Sequence, residues 1–97
     1  MNGFGTEVSF RLGPGTLAEA REIAAGLAAA AAGCRRHVLF VDAGAGEYGC
    51  LAEWDDRADA EAFGDRPETR ARLDALAERI GKAPRVRVYA MEETAPA

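Results

Sequence analysis

Histidine and tryptophan each occur once in this chain and cysteine only twice, and no run of apolar residues approaches the length of a membrane span. One histidine and two cysteines fall short of the donors a zinc site draws on. The cysteines, Cys34 and Cys50, belong to neighbouring strands of one expected hairpin. A turn over residues 43–47 sets Cys50 opposite Leu39 or Phe40 and leaves Cys34 several residues out of register, so no disulfide is expected. The alanine-rich stretch 27–32 is too short to cross a bilayer, and Met1-Asn2-Gly3-Phe4-Gly5 has neither the basic nor the apolar region of a leader. A soluble cytoplasmic protein with no membrane partner is expected. Basic charge is scarce as well: 12 lysines and arginines stand against 16 acidic residues, for a net charge of −4, and the arginines are spread along the chain. A phosphate backbone would find no patch to hold it, which argues against nucleic acid as a partner. Ninety-seven residues make one domain, residues 1–97, near the size at which association supplies part of the stability.

What the chain does have is clear alternation. Residues 7–12 place Val8, Phe10 and Leu12 on one face and Glu7, Ser9 and Arg11 on the other, the period of a half-buried strand. Gly13-Pro14-Gly15 stops it. Thr16 and Glu19 have the spacing of a capping box, and Leu17, Ala20, Ile23, Ala24, Leu27 and Ala31 follow at helical intervals until Gly33, read as a left-handed C-terminal cap. Residues 37–41 and 48–54 form a hairpin about Gly44-Ala45-Gly46, which has neither the lysine nor the following helix of a phosphate loop. Asp55 or Asp56 caps a helix over residues 57–63, which Gly64 ends. Asp65, Pro67 and Glu68 then open another, whose stripe is Leu73, Leu76, Ala77 and Ile80 before Gly81. Residues 85–91 alternate as a last strand, and 92–97 form a loose tail, leaving an ordered core of about residues 6–91. The order is β-α-β-β-α-β with the second helical segment in two pieces. That is an α+β, ferredoxin-like plait, a four-stranded antiparallel sheet with its helices on one face.

Trp54 closes the third strand just where a helix begins. So large a ring at such a place either plugs a corner of the core or lines a pocket between sheet and helix, and the sequence leaves both open. Tyr48, Cys50 and Ala52 share its strand face. His37, mid-strand with Arg35 and Leu39, is either a structural hydrogen-bonding residue or a base for proton transfer. Arg72 and Arg70 read first as partners of Glu68, Asp74 or Glu78 on a solvated helix face. No base stands at a motif spacing from either cysteine, so both read as packing residues.

The element order, the length, Gly33-Cys34 before the second strand, and Leu51-Ala52-Glu53-Trp54-Asp55-Asp56 leading into Phe63-Gly64-Asp65-Arg66-Pro67 together resemble the antibiotic biosynthesis monooxygenase family of the dimeric α+β barrel superfamily. The resemblance spans about residues 7–91. It implies a homodimer with two plaits packed sheet to sheet, each keeping a pocket between sheet and helices. Some members oxidise polycyclic phenols with oxygen, without metal or flavin; others degrade haem. In the quinone-forming members a tryptophan at the place of Trp54 belongs to the pocket, with an asparagine four residues earlier, where this chain has Cys50, which cannot donate as an amide does. Their helical arginine falls nearest Arg72, and less closely on Arg70. The asparagine, tryptophan and haem-ligating histidine of the haem-degrading members fall on Thr6, Phe63 and Leu73, which disfavours haem.

The resemblance thus implies a monooxygenase with no cofactor, acting on a planar, polyketide-like aromatic small molecule, with Trp54, Arg72 and His37 in catalytic roles and Tyr48, Cys50 and Phe63 lining the substrate. Its alternatives are a protein of the same fold that binds a small ligand without turning it over, or an isomerase or cyclase.

Overall fold

The computed structural model describes residues 2–95. Strands β1 (Gly3–Arg11), β2 (Arg36–Asp42), β3 (Glu47–Trp54) and β4 (Arg85–Met91) form one antiparallel sheet in the order β2-β3-β1-β4. Helix α1 (Leu17–Ala30) follows β1, while α2 (Arg57–Ala62), a 3-10 turn at Phe63–Asp65 and α3 (Pro67–Ile80) lie between β3 and β4. This is the ferredoxin-like α+β plait that the alternation predicts, with β4 at the expected bounds and β1 extended to Gly3. Of the expected loose tail, residues 92–95 are irregular and Glu93 donates its backbone N–H to Asn2 Oδ1 at 3.2 Å. Pro96 and Ala97 lie outside the described residues.

Register settles the faces. Cys50 pairs with Leu39 on one side and Val8 on the other, so the row Leu39, Cys50, Val8, Val86 looks one way, as do His37, Ala52, Thr6 and Val88. This is the face the helices cover: Val8, Phe10, Tyr48, Cys50, Ala20, Leu27, Leu73 and Leu76 share one buried cluster, and Trp54, Phe63 and four alanines share another. The opposite face carries Glu7, Ser9, Arg11, Arg85 and Arg87, joined by Val38, Leu51, Met91 and the half-exposed Phe40. Leu51 and Met91 fold over Gly5, where an added Cβ would meet Leu51 Cδ1 at 2.7 Å.

The helix ends differ from their sequence reading. Thr16 and Glu19 form no capping box, because Thr16 Oγ1 donates to Gly13 O at 2.6 Å and meets the Tyr48 hydroxyl at 2.9 Å, while Glu19 takes both guanidinium bonds of Arg79, at 2.7 and 3.0 Å. Asp56 occupies the N-cap of α2 without a side-chain bond, and Asp55 is held by Arg35 at 3.3 Å. Arg66, not Asp65, precedes α3. Gly81 ends that helix, as predicted, and does so in the left-handed region, but α1 stops at Ala30 and the left-handed Gly33 lies in the turn beyond. The hairpin turn is stitched to the loop after β1, where Leu12 N–H donates to Gly46 O at 2.9 Å. That approach requires glycine: a Cβ on Gly46 would fall 1.8 Å from Gly13 O.

Candidate functional site

Strand β3 ends on Trp54 because Asp55 and Asp56 break the alternation, and the ring then packs between the short α2 and the end of α1. It is 1% exposed. Its neighbours are small: Ala30 and Ala31 from the end of α1, Ala52 from its own strand and Ala60 from α2, with Phe4 and Cys34 at the margin. The exception is Phe63, whose ring lies 5.4 Å from the indole at a 48° tilt. Above both rings stretches Arg66. Its guanidinium carbon is 5.0 Å from the Trp54 ring centre and 5.8 Å from that of Phe63, while Nη1 donates to Ala30 O and Ala32 O at 3.0 Å each. A cation at this place satisfies carbonyls that the end of α1 leaves unpaired and meets two ring faces.

The indole Nε1–H is buried with no acceptor among the described residues, and so is the hydroxyl of Thr69, one turn into α3. Buried donors are nearly always paired, and leaving one unmade costs about 1–3 kcal/mol. An N–H so placed calls for an oxygen that the chain does not supply, from water or from a ligand. Thr6, the third polar group of this layer, is spoken for: its hydroxyl donates to Ala60 O at 2.5 Å and ties α2 to β1.

His37 pairs with Ala52, which makes it a diagonal neighbour of Trp54 on the same face, on the order of 7–8 Å away by sheet geometry. Partial burial lowers its pKa from 6.5, which favours the neutral imidazole at pH 7. Cys50 is pushed up to about 12 by burial and is a thiol at any ordinary pH. Both cysteines are free.

The candidate residues therefore fall in three places. Trp54 and Phe63 meet in the corner, with His37 at its edge. Tyr48 and Cys50 belong to the other cluster, where Tyr48 stacks near Phe10 at 5.7 Å and its hydroxyl is held by Thr16. Arg72 lies on the outer side of the helical layer, lining a groove of about 300 Å3 between α1 and α3 together with Glu19, Glu22 and Arg79. There it crosses Gly26, and a Cβ at that glycine would sit 2.9 Å from Arg72 Nη1. Arg70 pairs with Asp74 at 3.6 Å, as the spacing predicts. A larger hollow, about 770 Å3, opens on the far face of the sheet beside Phe40, Gly49, Arg11 and Arg85. Trp54 lines neither hollow.

Sequence reasoning missed Arg66 and Thr69. A signal for each was present. Arginine is a poor choice for the residue before a proline-led helix, where Ser, Thr, Asp or Asn would cap, so Arg66 is there for another reason. Thr69 continues the stripe of Leu73, Leu76 and Ile80 backwards by one turn, which makes it a polar residue at an inward position.

Comparison with known proteins bears on this arrangement. The family model described as antibiotic biosynthesis monooxygenase matches residues 7–75. No functionally curated protein matches the chain. Among solved structures, a Deinococcus radiodurans protein named provisionally as an antibiotic biosynthesis monooxygenase is similar with a TM-score of 0.74 and 15% identity, with 97% of each chain covered. A Mycobacterium tuberculosis protein is similar with a TM-score of 0.71 and 18% identity, over 96% of this chain and 99% of that one. A Nitrosomonas europaea protein of unknown function gives 0.68 and 21%, over 100% and 97%. At these identities the likeness is one of fold.

Proposed function

Because the chain belongs to the antibiotic biosynthesis monooxygenase family, we propose that it is a cofactor-independent monooxygenase acting on a planar, polyketide-like phenol held beside Trp54 between sheet and helices. The observation that carries the reading is the buried indole N–H without a protein acceptor. A phenol or quinone oxygen is the kind of acceptor it would take, and flat walls of alanine suit a flat guest.

The chemistry follows from what these side chains do. His37, neutral and at the edge of the corner, takes the phenolic proton. The Trp54 N–H holds the resulting oxyanion, and burial keeps water from quenching it. The electron-rich ring passes one electron to oxygen, the two radicals join as a carbon-bound peroxide anion, His37 returns its proton to make the hydroperoxide, and loss of water, taking the hydrogen of that carbon, leaves the new carbonyl. One oxygen atom enters the product and the other leaves as water, so the substrate is its own reductant. Phe63, against the indole, would line the guest, while Cys50 and Tyr48 support the strand from the neighbouring cluster. Arg72, on the outer groove, would act on the site only through α3.

The same reading makes the protein a homodimer through the open sheet face, where Val38, Phe40, Leu51 and Met91 leave an apolar strip among charges. Sedimentation equilibrium tests this, and a monomer at micromolar concentration counts against it. For the activity, purified protein is incubated with anthrone-type phenols in air, without added metal or flavin. Quinone forming faster than in buffer is expected, and its absence across a broad panel would overturn the assignment. A binding protein without turnover is the second reading, favoured by how completely Phe63 and Arg66 cover the indole. It predicts saturable binding of the same phenols with no quinone. Product formed equally well without oxygen would point instead to an isomerase or cyclase.

A further inference from the structure

We infer that α2 and the 3-10 turn, residues 57–65, form a lid over Trp54 and that Arg66 is its latch. The inference concerns access to the same corner and does not depend on which chemistry occurs there.

The lid has little of its own to hold it. Helix α2 has six residues, well under the roughly 12–15 at which an isolated helix becomes even marginal. Of residues 57–65 only Ala60 and Phe63 are buried. What binds the segment to the sheet is the buried Ala60 beside Ala52 and Trp54, the Thr6 hydroxyl on Ala60 O and the Phe63 ring on the indole, and Arg57 adds a cation over Phe4 at 5.1 Å. Segments with so few buried contacts are those that open while the rest of a domain stays folded.

Arg66 joins this segment to α1, thirty-odd residues away in sequence. One nitrogen bridges the carbonyls of Ala30 and Ala32, and the guanidinium plane spans both aromatic rings. Every one of these partners is neutral. Arg35, Arg57 and Arg70 all have a carboxylate, whereas among the described residues no carboxylate pairs with Arg66. Since its side chain is only partly buried, water can take over the two carbonyl bonds when the latch lets go. Phe63, three residues before, then swings out with the turn, and Gly64 between them gives the backbone the freedom to do so. What is uncovered is a flat slot beside the indole, walled by Ala30, Ala31 and Ala52.

Trp54 is the only tryptophan, so its fluorescence reads the opening without any ligand. Acrylamide quenching is measured on the whole protein and on Arg66→Gln and Arg66→Lys. The wild type is expected to be quenched slowly, Arg66→Gln several-fold faster with an unchanged far-UV spectrum, and Arg66→Lys in between, since lysine keeps the charge but not the fork. In parallel, amide exchange of the wild type should show residues 58–65 exchanging ahead of β1 and β3. Equal quenching in Arg66→Gln and wild type would overturn the latch, and lid amides as protected as those of the sheet would overturn the lid. Should Arg66→Gln not fold, quenching of Arg66→Lys against wild type decides the latch and the wild-type exchange pattern decides the lid. Faster quenching without binding of any planar phenol leaves the lid standing and removes the proposed substrate; binding without faster quenching does the reverse.

Discussion

At one end of the sheet Val8, Phe10, Tyr48 and Cys50 are covered by two fourteen-residue helices; at the other, Trp54 and Ala52 are covered by the last residues of α1, six residues of α2 and a single 3-10 turn. The same two strands, β1 and β3, floor both ends. The first end is filled by interlocking side chains from the sheet, α1 and α3, and the Tyr48 hydroxyl there meets Thr16. The second has two large rings among alanines, a donor with no acceptor, and a cation laid across the top. Core packing optimised for stability alone would not combine these features. The difference teaches that this chain keeps its stability and its capacity to receive a guest at opposite ends of one layer, and so can open one without loosening the other.

The contrast can be broken by substitution. Leu27→Ala, in the well-packed end, is expected to cost about 2–5 kcal/mol and to lower the midpoint of a single cooperative transition in denaturant. Trp54→Phe should cost less, about 1–3 kcal/mol, because the volume lost is partly offset by removing an unpaired donor, and it should abolish binding of planar phenols. A loss as large as that of Leu27→Ala, with binding intact, would make the two ends alike. Thr6→Val removes the hydroxyl that ties Ala60 to β1 and should cost about 1 kcal/mol, with faster amide exchange in α2 and none in α1 or α3. Exchange rising across the whole layer would show that the ends are not independent.

The smallest effect is one of pH. Burial lowers the pKa of His37 below its unfolded value of 6.5, so the unfolded chain binds the proton more readily. Stability is then full above pH 6.5 and falls as the pH drops through the folded value. His37→Gln should flatten that part of the stability curve, read by chemical denaturation between pH 7 and 4.5. An unchanged slope would place the pH dependence elsewhere.

Much of this was legible in the residues. Alternation in residues 7–12 and 85–91 assigned the faces of β1 and β4, and glycines at 44 and 46 located the turn that sets Cys50 opposite Leu39 or Phe40, of which the fold takes Leu39. What alternation could not decide was which face met the helices, because the polar and apolar faces of β1 are both followed by plausible partners in β2 and β3. Nor could it tell a sealed ring from an exposed one at Trp54. That depends on Arg66 reaching back to carbonyls of α1, a contact made by packing and not by spacing. Arg72 illustrates another limit: its spacing on α3 reads as a solvated helix face, where the guanidinium does lie, across Gly26 of α1, and only the family resemblance assigns it a catalytic role. Thr16 and Glu19 carried the letters of a capping box, yet each found a stronger partner in Gly13, Tyr48 and Arg79 once the fold brought them near.

The most direct test of an openable corner is a titration of the protein with anthrone-type phenols, followed by fluorescence of its one indole. Saturable quenching at one ligand per chain, lost in Trp54→Phe by a calorimetric readout, is the predicted result; quenching that rises linearly without saturation, as for free indole in solution, would contradict it.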